Sequence, residues 1–327
     1  MSIIIPQYTL DGLGGEYLKT REVEEKIAAY VGAKHCIMVS NGTVAIFLAL
    51  RSVGAKKVAI PALTMFGTIV AAELAGCEVV LVANNELPED VDTYIHVSLN
   101  GRHEGVAELQ ARYPKVRVIE DSAQSLGSQH QGKFLGTFGV AGCYSFSPHK
   151  IISAGNGGCV VTNDDDIAHA VRCLKNFGRA EGGADTHDRI GYNFKFTDIL
   201  AEFMLPQLAE LDQRIARKKE LYAAYYKHLS DNMLPHESVP WFVDYYVDKP
   251  EDRAGFVQFL KDRGIGTRLM YPHLNTQKSF AHLEIYGDSI ETTRRAATGV
   301  WLPSYLTLTD ADIATVVSVI TEWRHSL

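Results

Sequence analysis

Short apolar runs alternate with segments in which apolar residues recur at helical spacing, from Arg21 to about Phe177. One of the apolar runs, a predicted strand, begins at Val116 and ends in the carboxylates of Glu120 and Asp121. This alternation is typical of a mainly parallel sheet with helices on both faces. The other predicted strands are His35–Val39, Glu78–Val82, Thr93–Leu99, Ala141–Phe146 and Gly158–Thr162, and a helical pattern spans Val44–Leu50.

The pattern becomes long and helical from Asp198 to about His228, despite Pro206, which predicts one helix that links two domains. The rest of the chain predicts a strand, a helix, a strand and a helix, at Trp241–Val247, Asp252–Arg263, Thr267–Tyr271 and Asp310–Trp323. We therefore predict a large domain over residues 1–205. Residues 206–327 would form the linking helix and a small C-terminal α/β domain that closes over a site.

Composition and charge narrow the class of protein. The 327 residues are 46% hydrophobic, which is enough for a large α/β domain with a smaller one. A net charge of -7 argues against a nucleic-acid-binding surface, and no apolar run approaches the roughly 20 residues that span a bilayer. The five cysteines show no Cys-x-x-Cys spacing, which favours free thiols. We expect a cytoplasmic protein without a nucleic-acid or membrane partner.

The segment Ser145–Gly158 carries the most specific chemistry. It places Lys150 in a short turn between two predicted strands, with a hydroxyl five residues before it and a glycine cluster after it. An amine in such a turn can form a Schiff base with an aldehyde once its pKa is lowered, and glycines let the backbone approach a flat ring closely. A solvated loop lysine beside ordinary turn glycines is the alternative.

Two upstream segments bear on this choice. Ser40–Thr43 follows a predicted strand and opens a helix, where free N–H groups and a hydroxyl can bind phosphate; the alternative is a plain helix cap. Asp121 ends a predicted strand, where ligands of parallel sheets bind, and could pair with a protonated ring nitrogen, while Gln124 could donate to a ring oxygen. Asp121 could equally form a turn. Together with Lys150, these segments favour a pyridoxal 5'-phosphate enzyme.

The chain resembles the DegT/DnrJ/StrS group of sugar aminotransferases, which are fold-type I pyridoxal phosphate enzymes, over nearly its whole length. The matching stretches are Ser40–Thr43, Pro61–Thr64, Ile119–Gln124, Ser145–Gly158, Gly191–Phe196 and Gly264–Arg268. The resemblance implies an α/β fold with a large mainly parallel sheet and a small C-terminal domain. It also implies a homodimer with shared active sites.

The resemblance also implies a role for each matching residue. Lys150 would hold the cofactor as a Schiff base, and Asp121 would bind its ring nitrogen. The remaining cofactor contacts would come from Gly42, Thr43, Met65, Gln124, Ser145 and Asn193, with Asn193 reaching the phosphate of the neighbouring subunit. Substrate contacts would come from Arg268, Tyr271 and His273.

Three departures from the group's pattern concern the rim of the site. Met65 stands where the group usually has a ring-stacking aromatic, and Asn156 stands where it usually has glutamate. The chain is also short between two predicted strands, where only Ala83–Asp92 intervene. We expect a more open or reshaped substrate mouth with the cofactor chemistry retained.

The resemblance is strongest to the subgroup that aminates C4 of 4-keto-6-deoxyhexoses, such as the GDP-perosamine synthases. It implies transfer of an amino group from L-glutamate to a nucleotide-linked keto sugar, with Lys150 moving the protons. A related lyase subgroup, the sugar 3-dehydratases, has a histidine in place of the lysine, and His149 lies next door. The register favours Lys150 for this position. A non-catalytic binding protein of the same fold is the other alternative.

Overall fold

The structure, a computed structural model, describes residues 18–83, 85–179 and 185–326. Its helices are α1 Leu18–Val31, α2 Gly42–Val53, α3 Phe66–Ala75, α4 Val106–Arg112, α5 Asp165–Lys175, α6 Asp198–Ala209, α7 Leu211–Leu229, α8 Asp252–Asp262, α9 Ile290–Thr298 and α10 Asp310–His325. Its strands are β1 His35–Val39, β2 Lys57–Pro61, β3 Glu78–Val82, β4 Thr93–Val97, β5 Arg117–Asp121, β6 Gln129–His130, β7 Lys133–Phe134, β8 Ala141–Ser145, β9 Gly158–Thr162, β10 Val243–Tyr246, β11 Arg268–Leu269, β12 Ile285–Tyr286 and β13 Gly299–Leu302.

Eight strands form one large sheet in the order β1-β9-β8-β5-β4-β2-β3-β12. The neighbours pair in parallel except at β9, which runs antiparallel to both β1 and β8. The sheet is therefore mainly parallel, as the sequence predicts. In such a sheet ligands bind beyond the carboxyl ends of the strands, which is where β5 and β8 deliver Asp121 and Ser145.

The large sheet is covered on both faces, and β1 shows why. Its side chains alternate between faces: Ile37 and Val39 pack in one core cluster with residues of α2, α3 and α5. Cys36 and Met38 pack in a second cluster with residues of α1 and α6. Because all four side chains are almost fully buried, β1 reads as a continuous apolar run, as strands of parallel sheets do.

The C-terminal part of the chain builds a second, three-stranded sheet in the order β10-β13-β11. Residues of α7, α8 and α10 pack against it in a separate core cluster that includes Tyr225, Phe256 and Ile320. β12 does not join this sheet but pairs in parallel with β3, at the edge of the large sheet. The C-terminal residues therefore contribute to both sheets.

The single helix predicted from Asp198 to about His228 is wrong. The structure has two helices, α6 and α7, which meet at Glu210, whose φ of -97° and ψ of 4° are not helical. Pro206 lies inside α6, four residues before the break. Leu208 and Leu211 keep helical spacing across the break, so the apolar pattern alone does not reveal it.

Several predicted strands are longer than those observed. The run predicted as Thr93–Leu99 ends as a strand at Val97, and Leu99 opens a 3-10 turn. The run predicted as Thr267–Tyr271 shortens to the two residues of β11. None of the described helices combines the length and apolar character that crossing a membrane requires.

Candidate active site

Lys150 lies in the turn between β8 and β9, where its backbone N–H donates to the Ser147 carbonyl at 3.0 Å. Its Nζ atom is 3.9 Å from the centre of the Trp241 ring. Burial lowers the pKa of Lys150 to about 8, with the nearby Asp121 opposing this change and Arg268 adding to it. Because a neutral amine is the nucleophile, this environment keeps a larger share of Lys150 reactive near neutral pH than an exposed lysine would have.

Asp121 is the last residue of β5 and is buried. One carboxylate oxygen accepts a hydrogen bond from Thr68 Oγ1 at 2.7 Å, and the other accepts from the Ala123 N–H at 3.2 Å. Burial raises the pKa of Asp121, and the hydrogen bonds from Thr68 and Ala123 and the charge of Lys150 oppose the rise. A buried carboxylate with this few donors can bind a further proton-bearing group.

Gln124 is buried three residues beyond Asp121, and both polar atoms of its side chain are hydrogen-bonded. Its Oε1 accepts a hydrogen bond from the Asn100 N–H at 2.7 Å, and its Nε2 donates a long one, 3.5 Å, to the Tyr271 hydroxyl. Burial raises the pKa of Tyr271 to about 12, so its hydroxyl stays neutral near pH 7. Gln124 therefore links the end of β5 to the C-terminal part of the chain.

The N-termini of α2 and α3 meet beside Ser145. Asn41 caps α2, because its side-chain oxygen accepts a backbone N–H of the first turn at 2.9 Å. Gly42 lies so close to Ser145 that a Cβ on this glycine would be 2.8 Å from the serine Cβ. The Thr43 hydroxyl lies against Gly67, at 2.6 Å from the position that a Cβ would take there. The structure thus brings two hydroxyls and two helix N-termini together, which suits an anion.

Met65 lies at the N-terminus of α3 and is 41% exposed. Its sulfur accepts a hydrogen bond from the Gly67 N–H at 2.9 Å, so the side chain folds back as a helix cap. The adjacent Phe66 packs against Phe280, with ring centroids 5.5 Å apart. In this position Met65 borders the site from the side of α3.

Asn193 is exposed and lies in the segment that leads into α6. Its side-chain oxygen accepts a hydrogen bond from Lys195 Nζ at 2.6 Å. The Phe194 carbonyl accepts from the Ser40 N–H at 3.0 Å, so this segment runs beside the loop that opens α2. The role of Asn193 in a neighbouring subunit remains a prediction.

Arg268, Tyr271 and His273 lie in the C-terminal part of the chain. Arg268 is exposed, and its guanidinium lies 5.4 Å from the Trp301 ring centroid and 5.9 Å from that of Tyr271. His273 is buried, which lowers its pKa. Its Nε2 atom has no hydrogen-bond partner within the residues that the structure describes. Of the three, Tyr271 is joined directly to a predicted cofactor residue, Gln124.

The short connection between β3 and β4 borders an open cavity of about 390 Å³. Ala83 and Asn85 line it from this connection, Leu63 from the end of β2, and Arg295 from α9. Arg295 is buried, and its nearest acid is Glu104, at 3.5 Å. Whether this cavity belongs to a more open or reshaped substrate mouth stays a prediction.

Three residues that the sequence did not single out belong to the site. Thr68 binds Asp121, Trp241 covers Lys150, and Asn100 holds both Gln124 and Trp241. The Asn100 side-chain oxygen accepts the N–H groups of Trp241 and Phe242 at 2.9 and 2.8 Å. Thr68 lies four residues beyond a matched stretch, whereas no local pattern marks Asn100 or Trp241.

His149 does not take the place of Lys150. It is exposed, and its carbonyl accepts a hydrogen bond from Trp241 Nε1 at 2.7 Å. The indole therefore binds the backbone of His149 and faces the amine of Lys150. This placement favours the lysine as the reactive group of the turn.

Comparison with known proteins identifies the family. The model of the DegT/DnrJ/EryC1/StrS aminotransferase family matches residues 11–321, which is nearly the whole chain. The chain belongs to this family. It is accordingly a pyridoxal phosphate-dependent sugar aminotransferase.

Individual members of the family are similar over most of their length. A GDP-perosamine synthase of Escherichia coli is 30% identical, covering 94% of this chain and 90% of its own. A protein of Geobacillus stearothermophilus named pleiotropic regulatory protein is 31% identical over 95% of this chain and 90% of its own. The crystal structure of a DegT DnrJ EryC1 StrS aminotransferase from Brucella abortus superimposes with a TM-score of 0.85 at 25% identity, covering 94% of this chain and 90% of that one.

The residues present fit the family's cofactor. Pyridoxal phosphate has an aldehyde, a basic ring nitrogen and a phosphate, and the site offers an amine of lowered pKa, a buried carboxylate and paired helix N-termini. A narrow cavity lined by Gln124, Ser145, Lys150 and Trp241 lies beside the amine. A Cβ on Gly42 would collide with Ser145, so glycine is what allows the start of α2 to lie against the end of β8.

Proposed function

We propose that this aminotransferase moves an amino group from L-glutamate to the C4 keto group of a nucleotide-linked 4-keto-6-deoxy sugar, with a GDP-linked sugar as the leading substrate. Three relatives that cover most of the chain are named GDP-perosamine synthase. Other relatives of similar identity are named for dTDP- or UDP-linked sugars, so the nucleotide is the part that an experiment must decide. The observation that carries the reaction type is the buried amine of Lys150 between Asp121 and Trp241.

Each residue of the site has a task in this reaction. When bound, pyridoxal phosphate supplies an electron sink that stabilises negative charge at the carbon that loses a proton. Lys150 Nζ would take the proton from the α-carbon of the amino donor and pass it to the cofactor, and in the second half-reaction it would take a proton from the cofactor and deliver it to C4 of the sugar. Asp121 keeps the proton on the ring nitrogen, since a carboxylate next to that nitrogen favours its protonated form.

The remaining residues bind and orient. We assign the phosphate to Gly42, Thr43 and Ser145, because helix N-termini and hydroxyls bind anions, and the ring oxygen to Gln124. Trp241 covers one side of Lys150 and shields the amine from water. The substrate residues would be Arg268, Tyr271 and His273, with the exposed guanidinium of Arg268 as the group that can bind a carboxylate or a phosphate.

We further propose that the enzyme is a cytoplasmic homodimer with shared active sites. Large apolar side chains are exposed around the segment that carries Asn193: Phe177, Ile190, Ile199 and Phe203 are 42%, 87%, 47% and 64% exposed. Exposed apolar side chains grouped in this way beside a site favour an interface in which a second copy of the chain buries them. All five cysteines are free and buried, which suits a reducing compartment. Sedimentation analysis of the wild type and of Phe203→Glu tests the dimer, since a buried charge would dissociate it.

The reaction type is tested with the purified enzyme and its cofactor. Addition of L-glutamate without a sugar should replace the absorption band of the lysine-bound cofactor by the band of its amino form. Lys150→Ala should abolish turnover, whereas Lys219→Ala, an exposed lysine on α7, should not change it. Full turnover by Lys150→Ala would overturn the assignment. An unchanged spectrum with glutamate would point to another donor.

The sugar is tested in the second half-reaction. The amino form of the enzyme, freed of glutamate, is mixed with GDP-, UDP- or dTDP-linked 4-keto-6-deoxyhexoses, and the products are analysed by mass spectrometry and NMR. We expect the fastest return of the original band with the GDP sugar and an amino group at C4. Amination at C3, or preference for another nucleotide, would contradict the corresponding part of the proposal.

A further inference from the structure

Two histidines and a glutamate come together on the large domain, outside the active site. His103 precedes α4, Glu108 lies in the first turn of α4, and His130 lies in β6 of the β6–β7 hairpin. One ligand atom of each lies within 4.8 Å of those of the other two. The three side chains thus come from two separate segments that the fold places side by side.

The two imidazoles pack face to face, and one of their nitrogens is left without a partner. The rings of His103 and His130 are stacked, with centroids 3.8 Å apart and an angle of 15° between the planes. His130 Nε2 is buried without a hydrogen-bond partner in the described part of the chain. The nearest carboxylate oxygen, Oε1 of Glu108, is 3.9 Å away, too far for a hydrogen bond. A buried nitrogen without a partner destabilises a protein.

We propose that His103, Glu108 and His130 bind a divalent transition metal, with zinc as the best match. Imidazole nitrogens and a carboxylate are ligands that zinc accepts, and three protein ligands leave a fourth position for water. Such a position would open onto the adjoining groove of about 470 Å³, which is lined in part by Glu104, Gln131 and Glu237. A cation there gives His130 Nε2 a partner and neutralises Glu108.

The ligand atoms must move closer together to bind zinc. Bonds of about 2.0 to 2.1 Å in a tetrahedral arrangement place ligand atoms about 3.4 Å apart, which requires movements of about 1 Å. Glu108 can supply much of this movement, because its side chain is 65% exposed. At least one of the two histidine rings must also turn out of the stacked arrangement, because the lone pairs of stacked rings lie in separate, nearly parallel planes.

Metal binding also requires a rearrangement at His103. Its Nδ1 accepts a hydrogen bond from the Gly105 N–H at 3.1 Å, which places the proton of the neutral ring on Nε2. Ligation through Nε2 requires that proton to move to Nδ1, which can then no longer accept from the Gly105 N–H, and ligation through Nδ1 displaces the same N–H. Either route therefore gives up one hydrogen bond, which the bonds to the metal must outweigh.

The site lies next to a residue that orders the active site. Asn100, three residues before His103, holds Gln124 and the backbone of Trp241. A metal that joins His103 to the β6–β7 hairpin would fix the C-terminal end of the loop that contains Asn100. The metal has no part in the transfer of the amino group, and its binding can be measured separately from activity.

The test is a metal titration of the chelator-treated holoenzyme. Calorimetry with Zn²⁺ should give one site per chain with a Kd below about 1 µM, and Co²⁺ should give a visible spectrum typical of a nitrogen- and oxygen-bound ion. His103→Ala and His130→Ala should weaken binding by at least about 100-fold, and Glu108→Gln by about tenfold. The matched control is His169→Ala, an exposed histidine on α5, which should bind zinc as the wild type does.

A thermal melt guards against misfolded variants. Zn²⁺ should raise the Tm of the wild type and of His169→Ala, and should raise that of Glu108→Gln by less at the same Zn²⁺ concentration. Because Glu108 is exposed, this variant should fold even where a histidine variant does not. Absence of saturable binding in the wild type, or unchanged affinity in both His130→Ala and Glu108→Gln, would overturn the proposal.

Discussion

The Nζ atom of Lys150 lies 3.9 Å from the centre of the Trp241 ring, in surroundings that lower the pKa of this lysine to about 8. The ordinary lysine pKa is 10.5, so the folded state binds the proton more weakly than the unfolded state. Protonated Lys150 therefore destabilises the cofactor-free protein below about pH 8, and this effect disappears as the pH rises to about 10.5. Lys150→Met should thus raise the free energy of unfolding by about 1 to 3 kcal/mol at pH 7 and by little at pH 10.

Urea denaturation of the cofactor-free protein at the two pH values checks this prediction. The matched control, Lys219→Met, replaces an exposed lysine of α7 and should shift the free energy of unfolding equally at both pH values. If Lys150→Met gave the same shift at pH 7 and at pH 10, burial of its charge would not be the cause.

Thr68 should affect catalysis through Asp121. Its hydroxyl donates to the carboxylate at 2.7 Å and opposes the rise in the pKa of Asp121 that burial causes. A hydrogen bond to a charged group contributes about 1.5 to 3 kcal/mol, so Thr68→Val should lower kcat about tenfold or more. Thr68→Ser keeps the hydroxyl and should retain most of the activity. Steady-state kinetics distinguish the two, and wild-type kcat in Thr68→Val would rule out this role.

Asn100 should be important for stability as well as for the site. Its side chain accepts two backbone N–H groups and donates to the Phe242 carbonyl at 3.1 Å. Its φ of 53° is left-handed, a conformation that asparagine tolerates better than most residues. Asn100→Ala leaves these buried groups without partners, and the free energy of unfolding should fall by about 2 to 4 kcal/mol. Urea denaturation measures this loss.

Asn100→Asp provides the comparison, because its carboxylate can still accept both N–H groups. It should destabilise the protein less than Asn100→Ala does. Equal losses in the two variants would show that the acceptor oxygen is not what matters at this position.

Met65 should influence how long the cofactor stays bound. The sulfur caps α3 at the side of the site, and an aromatic ring there could stack on the cofactor, which contributes about 0.5 to 1.5 kcal/mol. Met65→Tyr should therefore slow cofactor dissociation by about 2- to 10-fold. Transfer of the cofactor to an excess of a second apoenzyme measures the rate. Met65→Leu should not slow dissociation, and an equal effect of leucine and tyrosine would exclude stacking as the cause.

The sequence predicts those parts of the fold that local patterns specify. The bounds of β1 and β9 agree with the prediction, because each is an almost entirely buried, mainly apolar run of five residues. The two-residue strands β11 and β12 are too short to show a period. The division between α6 and α7 lies at Glu210, and the apolar spacing, which continues across it, does not show it.

In the candidate site too, the sequence predicts only those features that local patterns specify. Lys150, Asp121 and Ser145 follow strands or lie between them, so the topology of a parallel sheet predicts that they meet. Asn100 and Phe242 are hydrogen-bonded across 142 residues of sequence. Neither carries a local signal of this contact, which arises only when the C-terminal part packs on the large sheet. The groups that orient the site are therefore harder to predict than the groups that react.

The pairing of β12 with β3 has a practical consequence for dissecting the molecule. Ile285 and Tyr286 cover the outer edge of β3, and the Ala83 N–H donates to the Tyr286 carbonyl at 3.0 Å. Truncation of the chain after residue 205 would remove this cover and leave β3 as an open edge, which is a template for aggregation. It would also remove Trp241 and Trp301 from the core of the large sheet. The N-terminal 205 residues expressed alone would accordingly be prone to insolubility, although they contain Lys150 and Asp121.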